Sequence, residues 1–326
     1  MSELLINTKN GLYCPQADIF IDPTGRVDRA VITHGHADHA RPGHQRYLCT
    51  VDAEPVIKFR LTSNINIQAM PYGAPVNING VKISFHPAGH IIGSAQVRLE
   101  YKGEVWVVSG DYKLGSDGIS ALFESVRCHT FITESTFGMP IYQWKEQALL
   151  MNEINQWWKE NKKNGIASVI QAYSLGKAQR IIHNIDNTIG TIITHPGVES
   201  TNAVIRRQGI KIAETCELNS KISKEQLLSG LIIAPPGTVE NALKSKGYAV
   251  SVAAASGWMA IQKYRQRGGI DKGFVLSDHA DWNELNKAVR DCKAERVLVT
   301  HGYEDIFSKW LNEQGIEAHS LKNFYK

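Results

Sequence analysis

Four potential metal ligands occur within one six-residue segment of the chain, His34-Gly35-His36-Ala37-Asp38-His39. The segment directly follows the apolar run at residues 30–33, which is typical of a short strand. Neutral imidazole nitrogen and carboxylate oxygen both bind Zn²⁺ and similar ions at roughly 2.0–2.2 Å. A turn after the strand can direct alternate side chains to two adjacent ions, and two ions about 3.5–4 Å apart suit phosphoryl or acyl hydrolysis. No cysteine lies nearby, so the segment predicts a metal-dependent hydrolase rather than a closed structural zinc site.

Three more potential ligands stand where strands or tight turns end. His90 lies in the glycine-flanked segment PAGHIIGS, Asp111 follows the apolar run VWVVSG, and His301 follows the run VLVT. Taken alone, Asp111 has the alternative role of a capping residue, and each histidine that of a packed, hydrogen-bonded side chain. Beside the four-donor segment, we expect all three to be metal ligands.

Composition excludes several other classes of protein. The 326 residues are 43% hydrophobic and 21% charged, which is ordinary for a globular enzyme. The five cysteines form no CxxC pair and are odd in number, so a reducing, cytoplasmic setting fits better than a disulfide framework. No signal peptide or membrane-spanning apolar stretch is expected. The net charge of +4 permits a nucleic-acid partner without requiring one.

The pattern of strands and helices changes along the chain. Short strands separated by turns dominate the first part, and an amphipathic helix is predicted over residues 144–163, closed by Asn164-Gly165. Strand and helix patterns then alternate, which indicates a parallel α/β unit. A buried-strand pattern returns at residues 273–277. We therefore predict one α/β domain interrupted by a second, with a first part at 1–140, an insert at 141–272 and a return segment at 273–326.

The combined motifs resemble those of a known superfamily. Asp22, the segment 34–39, His90 and Asp111 are similar, in order, to the motifs of the metallo-β-lactamase superfamily. Three further segments resemble the additional motifs of its β-CASP nuclease branch, and two more resemble its insert and its bacterial ligase-associated DNA exonucleases. These five segments are 134–138 (ESTFG), 277–281 (SDHAD), 299–302 (VTHG), 173–179 (YSLGKAQ) and 255–259 (ASGWM). The resemblance implies a metallo-β-lactamase αββα sandwich with an inserted α/β β-CASP-like domain.

The resemblance also implies a role for each matched residue. One metal ion would be held by His34, His36, His90 and Asp111. A second would be held by Asp38, His39, His301 and the shared Asp111. Asp22 would orient a ligand through a hydrogen bond. Glu134 and His279 would form a dyad in which His279 acts as general acid, so that the expected catalytic residues are Asp38, Glu134 and His279. A fold-stabilising polar pair is the alternative for Glu134 and His279.

The substrate implied by the resemblance is a nucleic acid strand. We expect two divalent ions, zinc before manganese, and a DNA exonuclease that acts on single-stranded ends in DNA repair, with 5′ to 3′ polarity favoured. A DNA ligase and a helicase are partners by family resemblance, and no membrane is expected. His301 keeps an RNA-processing β-CASP ribonuclease open, because the RNA-processing branch has a histidine in this last motif. A small-molecule hydrolase and a non-catalytic subunit of the same fold are further alternatives.

Backbone phosphates require cationic or polar partners. The candidates are Lys177, Arg180, Ser256, Lys263 and Arg265. The last two belong to the segment KYRQR at residues 263–267, where an aromatic residue among charges would also support base stacking. The alternative for each is an ordinary solvated surface.

Overall fold

The computed structural model describes residues 3–265 and 269–324. The strands are β1 (Ile6–Thr8), β2 (Gly11–Cys14), β3 (Ile19–Ile21), β4 (Arg29–Val31), β5 (Arg46–Thr50), β6 (Ile67–Met70), β7 (Val76–Ile78), β8 (Val81–Pro87), β9 (Ala95–Tyr101), β10 (Glu104–Val108), β11 (Thr130–Ser135), β12 (Ala167–Gln171), β13 (Ile192–Thr194), β14 (Cys216–Glu217), β15 (Leu231–Ala234), β16 (Val250–Ala255), β17 (Lys272–Phe274), β18 (Arg296–Gly302) and β19 (Glu317–Ser320). The helices are α1 (Glu54–Leu61), α2 (Gln147–Lys163), α3 (Lys177–Asn184), α4 (Pro196–Arg207), α5 (Lys224–Ser229), α6 (Glu240–Ser245), α7 (Gln262–Arg265), α8 (Trp282–Cys292), α9 (Glu304–Glu313) and α10 (Leu321–Phe324), with a 3₁₀ helix at Gly257–Ala260.

The chain divides into two compact units. The first contains Met1–Ser116, Ser120–Gln143 and His279–Lys326, and the second contains Asp117–Ile119 and Trp144–Asp278. The mixed α/β class predicted from the sequence is confirmed. That these units are a metallo-β-lactamase domain and a β-CASP-like insert, with the boundaries given above, stays a prediction.

The first unit contains two mixed sheets. One has the order β1-β2-β3-β4-β5-β6 and the other the order β19-β18-β11-β10-β9-β8-β7. Apolar side chains from both sheets form one shared core, which includes Ile21, Val31, Phe85, Trp106 and Leu298. The outer face of the first sheet forms a core with α1, and that of the second forms a core with α8 and α9. The layers are therefore helix, sheet, sheet and helix.

The second unit is built on one parallel sheet of order β14-β13-β15-β12-β16-β17. Its inner strands, β12, β13, β15 and β16, are largely apolar and buried because both faces are covered, as is usual for parallel sheets. Ile170 packs with α2 and α3, whereas its neighbour Val169 packs with α5 and α6. Among the described residues, no helix has the length and apolar character that crossing a bilayer requires.

The strand predicted at 273–277 is shorter in the structure. β17 ends at Phe274, and the Ser277 carbonyl beyond it accepts a hydrogen bond from Arg180 Nη1 at 2.5 Å. Hydrophobic periodicity does not report a tertiary contact of this kind. The segment Asp117–Ile119 belongs to the second unit, where Asn184 Nδ2 donates to the Asp117 carbonyl at 2.8 Å.

Candidate metal centre and proton-transfer dyad

The segment of residues 34–39 forms a tight loop just beyond the carboxyl end of β4. The loop is closed by the backbone N–H of Ala40, which donates to the His36 carbonyl at 2.8 Å. His34 and His39 are buried, His36 is half-buried, and the Asp38 side chain is 74% exposed. The two buried imidazoles therefore face the protein interior while Asp38 faces solvent.

One predicted ligand set lies together as a compact group. His34, His36, His90 and Asp111 each offer one ligand atom within 4.8 Å of the other three. His36 Nδ1 is 3.1 Å from both His34 Nε2 and His90 Nε2, and Asp111 Oδ2 is 3.6 Å from His34 Nε2. Ligands held about 2.0–2.2 Å from a zinc ion in a tetrahedron stand about 3.3–3.6 Å apart. Three imidazoles and one carboxylate at these separations fit a divalent ion of the zinc type.

The second predicted set is more open. His39 Nε2 lies 3.4 Å from Asp111 Oδ2 and 3.8 Å from Asp38 Oδ2. His301 is exposed, and its ring centroid is 5.9 Å from that of His39. Within the described residues these four side chains do not form a compact donor group of the kind found for the first set. The structure thus brings His39 to Asp111 and Asp38 to the outer side of His39, with His301 at the edge of the same cluster.

Asp22 connects two parts of the site through both of its carboxylate oxygens. Oδ1 accepts the backbone N–H of Thr33 at 2.8 Å, and Oδ2 accepts Thr33 Oγ1 at 2.6 Å. Oδ2 also lies 2.8 Å from His39 Nδ1. This contact directs His39 Nε2 toward Asp111, which is the orienting arrangement that metal-binding histidines typically have. Asp22 and His301 both have positive φ, at 43° and 53°, which non-glycine residues seldom adopt outside constrained sites.

Two glycines permit the close approach of the loops that carry His90 and Asp111. Gly89 has φ +74°, and a Cβ there would lie 2.1 Å from the Lys113 carbonyl oxygen. Gly110 has φ +56°, and its Cβ would lie 2.8 Å from the Thr33 side chain. A larger residue at either position would push one ligand loop away from its neighbour.

Burial and charge set the protonation of the cluster. Burial, with the nearby His39, lowers the pKa of His34 well below its usual value, and neutral imidazole is the form that binds metal. Burial opposes charge on His39 and Asp111 as well, but their mutual attraction outweighs it. Asp111, together with Asp22, raises the pKa of His39 well above the usual value for histidine. His39, together with His279, holds the pKa of Asp111 well below the usual value for aspartate.

Glu134 and His279 lie in contact beside this cluster. Glu134 is buried near the end of β11, and its Oε1 accepts the backbone N–H of Tyr112 at 2.8 Å. His279 Nδ1 donates to the carboxylate, at 3.1 Å from Oε1 and 3.0 Å from Oε2, and lies 3.9 Å from Asp111 Oδ2. Asp111, Glu134 and His279 also form a second compact group of potential ligands. The geometry thus suits either a hydrogen-bonded dyad or a further metal ligand set.

The sequence did not identify Thr33 or Tyr112 as parts of the site. Thr33 binds Asp22 through its side chain and backbone, and Tyr112 binds Glu134 through its backbone N–H. The only signal available was position, since each residue directly adjoins a predicted ligand, His34 or Asp111.

The candidate phosphate-binding residues of the second unit have varied surroundings. Lys177 and Arg180 are buried, and both pair with Asp278, at 3.7 Å and 3.4 Å. Ser256 is half-buried, and its hydroxyl accepts the Trp258 backbone N–H at 3.3 Å. Lys263 is exposed.

The remaining candidate, Arg265, is the last residue of α7, and its side chain lies outside what the structure describes. Residues 266–268, which include the end of the KYRQR segment, are also outside the described residues. Lys177 and Arg180 therefore have an evident structural role, and phosphate contact stays a prediction for all five candidates.

Comparison with known proteins gives relatives at the level of 28% identity. No family model matches the chain. A probable DNA ligase of Opitutus terrae is 28% identical over 97% of this chain, and the chain spans only 31% of that protein. An RNase J-like protein of Methanocaldococcus jannaschii is 28% identical over 85% of this chain and 82% of its own length. The endoribonuclease ysh1 of Schizosaccharomyces pombe is 28% identical over 37% of this chain, which spans 16% of it.

A solved structure has a similar fold. The crystal structure of a protein of unknown function from Enterococcus faecalis V583 superposes with a TM-score of 0.59 at 10% identity. The match covers 89% of this chain and 78% of that one. The likeness concerns the fold alone.

Proposed function

We propose that this protein is a metal-dependent nuclease that hydrolyses phosphodiester bonds. The observation that carries the proposal is that a His/Asp ligand cluster and the Glu134–His279 pair lie against the same carboxylate, Asp111. A small-molecule hydrolase needs the ligand cluster but not the second pair. The names of the relatives, two of which are nucleases, support the same reading of the site.

The proposed cofactors are two divalent metal ions, zinc before manganese. His34, His36, His90 and Asp111 would hold the first, and Asp38, His39 and His301 with Asp111 the second. When bound, the ions would activate a water molecule and neutralise charge on the phosphate under attack. Asp22 would keep His39 Nε2 directed at its ion by holding Nδ1 at 2.8 Å.

His279 is the proposed proton donor to the leaving oxygen. Its Nδ1 is held by the buried Glu134 carboxylate, so the proton given to the substrate would come from Nε2. Glu134 stabilises the protonated imidazole, and the Tyr112 N–H fixes the carboxylate. A fixed donor of this kind lowers the barrier for departure of a poor leaving group.

The fold proposed for this function is a metallo-β-lactamase sandwich with a β-CASP-like insert, most similar to ligase-associated DNA exonucleases. The layered first unit and the parallel sheet of the second support this proposal. In the cell we propose a cytoplasmic enzyme of DNA repair, with a DNA ligase and a helicase as partners.

Single-stranded DNA ends are the proposed substrate, with 5′ to 3′ digestion. The match to a probable DNA ligase over 97% of this chain favours DNA. RNA processing is the second candidate, because the RNase J-like protein matches over 82% of its own length and His301 is present. Ser256, Lys263 and Arg265 are the proposed strand contacts that a phosphate backbone requires.

The direct test is cleavage of four substrates by one enzyme preparation. Single- and double-stranded DNA and RNA of the same sequence, labelled at either end, would be incubated with protein reconstituted with Zn²⁺ or Mn²⁺. We expect single-stranded DNA labelled at its 5′ end to give the shortest labelled products first. We expect no cleavage by Asp38→Ala. Equal or faster RNA cleavage would favour the ribonuclease, and no cleavage of any of the four would contradict the proposal.

A further inference from the structure

Helix α1 places an arginine beside the loop of residues 34–40. Arg60 lies in the last turn of α1 and is half-buried. Its Nη1 donates to the Gly35 carbonyl at 2.6 Å and lies 3.5 Å from the Ala40 carbonyl. Lys58, in the same turn, instead pairs with Glu54 on its own helix at 2.7 Å. The two basic residues of this turn therefore have different partners.

The two carbonyls stand at both ends of the ligand segment. Gly35 lies between His34 and His36, and Ala40 directly follows His39. Both residues are buried, where a carbonyl without a donor is unfavourable. One guanidinium thus satisfies oxygens on either side of the loop.

A second arginine binds the middle of the same loop. Arg41 Nε donates to the Asp38 carbonyl at 3.1 Å. The loop has few backbone bonds of its own, with His39 and Ala40 both donating to the His36 carbonyl. Side-chain donors therefore add to the bonds that fix its shape, and Arg60 donates to it from a separate element, helix α1.

We infer that Arg60 is a positioning residue that fixes the loop of residues 34–40 in its metal-binding shape. The inference rests on the proposed metal-dependent function. Both contacts come from Nη1, which carries two N–H donors at a fixed place in the guanidinium plane, whereas a lysine ammonium ends one atom nearer its own backbone on a flexible stem and holds the two carbonyls less well. Ligands that are already in place bind an ion more tightly than ligands that must be ordered by it, and loss of such support typically weakens metal affinity by roughly 10–100-fold.

Cobalt binding tests the inference without reference to cleavage. Metal-free native protein, Arg60→Met, Arg60→Lys and the control Lys58→Met would be titrated with Co²⁺ and followed by the visible absorption of the bound ion. Lys58→Met removes a charge from the same helical turn without touching the loop. We expect native affinity for the control, a loss of roughly 10–100-fold for Arg60→Met with an altered spectrum, and an intermediate loss for Arg60→Lys.

The possible outcomes separate the inference from the proposed function. Native affinity and spectrum in a folded Arg60→Met would overturn the inference. If Arg60→Met does not fold, Arg60→Lys decides, since native Co²⁺ affinity there would equally overturn it. If native protein binds Co²⁺ and cleaves no nucleic acid, the proposed function fails while the Arg60 inference is still decided by the titration.

Discussion

The loop after β4 and helix α3, which follows β12, each carry a polar cluster beyond the carboxyl end of a strand, yet the two clusters differ in chemistry. The first brings His34, with its neighbours, to Asp111 as a group of potential metal ligands. The second brings Lys177 and Arg180 to Asp278, where the cations meet a buried carboxylate. Charged residues after a strand therefore mark an edge where groups converge. Whether such residues bind a ligand or form ion pairs within the protein depends on the residues that the fold places beside them.

The largest effect is expected from Asp111→Asn, because Asp111 belongs to both potential ligand groups. The amide removes the negative charge that attracts the ions, so we expect cleavage to fall by at least about 10³-fold, about 4 kcal/mol of transition-state stabilisation. Metal content and rate would be measured on the same samples. Asp291→Asn, at an exposed pair with Lys287, is the matched control and should retain both. Full activity in Asp111→Asn would show that the reaction does not take place at the Asp111 cluster.

The next effect concerns the dyad. We expect His279→Ala to slow cleavage by roughly 10²–10⁴-fold while metal content stays near native, because general acid–base groups contribute about that much. His319→Ala, an exposed histidine beside Glu317, is the control. Loss of bound metal in His279→Ala would instead make Asp111, Glu134 and His279 a ligand group, as their separation also allows.

The buried cations of the second unit give a stability prediction. Arg180→Met removes one of the two cations from Asp278 and the donor to the Ser277 carbonyl, so we expect a loss of about 3–5 kcal/mol in the free energy of unfolding. The control Lys159→Met breaks an exposed pair with Asp186 and should change stability by less than about 1 kcal/mol. Denaturant unfolding measures both. Unchanged stability with weakened DNA binding would show that Arg180 serves a phosphate rather than Asp278.

The smallest effect is expected at Lys263, an exposed residue near the end of the described part of this region. If it contacts a phosphate, Lys263→Met would weaken DNA binding a few-fold across all sequences and reduce the slope of log affinity against log salt by about 1. Lys244→Met, on exposed α6 surface, should leave the slope unchanged. An unchanged slope in Lys263→Met would remove this residue from the interface.

Much of the candidate site could be predicted because its signals are local. Residues 34–39 directly follow an apolar run, and other polar residues follow further apolar runs. These positions indicate where the ends of strands place potential ligands. The predicted helix at 144–163 corresponds to α2, and the alternation beyond it to the parallel sheet. Hydrophobic periodicity and the turn-forming residues between elements carry this information in the sequence itself.

The rest depends on contacts between residues far apart in the chain. Arg180 and Asp278 are 98 positions apart, and nothing in either segment indicates that they neutralise each other. The Tyr112 N–H that fixes Glu134 is a backbone group, which every residue except proline has. Arg60 is one of several arginines in the first unit, and only the path of α1 distinguishes it.

Removing and restoring metal on one sample decides whether cleavage needs two bound ions. Native protein would be stripped with a chelator, assayed on end-labelled single-stranded DNA and RNA, and then titrated with Zn²⁺ or Mn²⁺ while bound metal and cleavage rate are measured together. We expect no cleavage by the stripped protein and recovery that reaches its maximum as the second ion per chain binds. Undiminished cleavage by the metal-free protein, or full metal binding without cleavage of either nucleic acid, would contradict it.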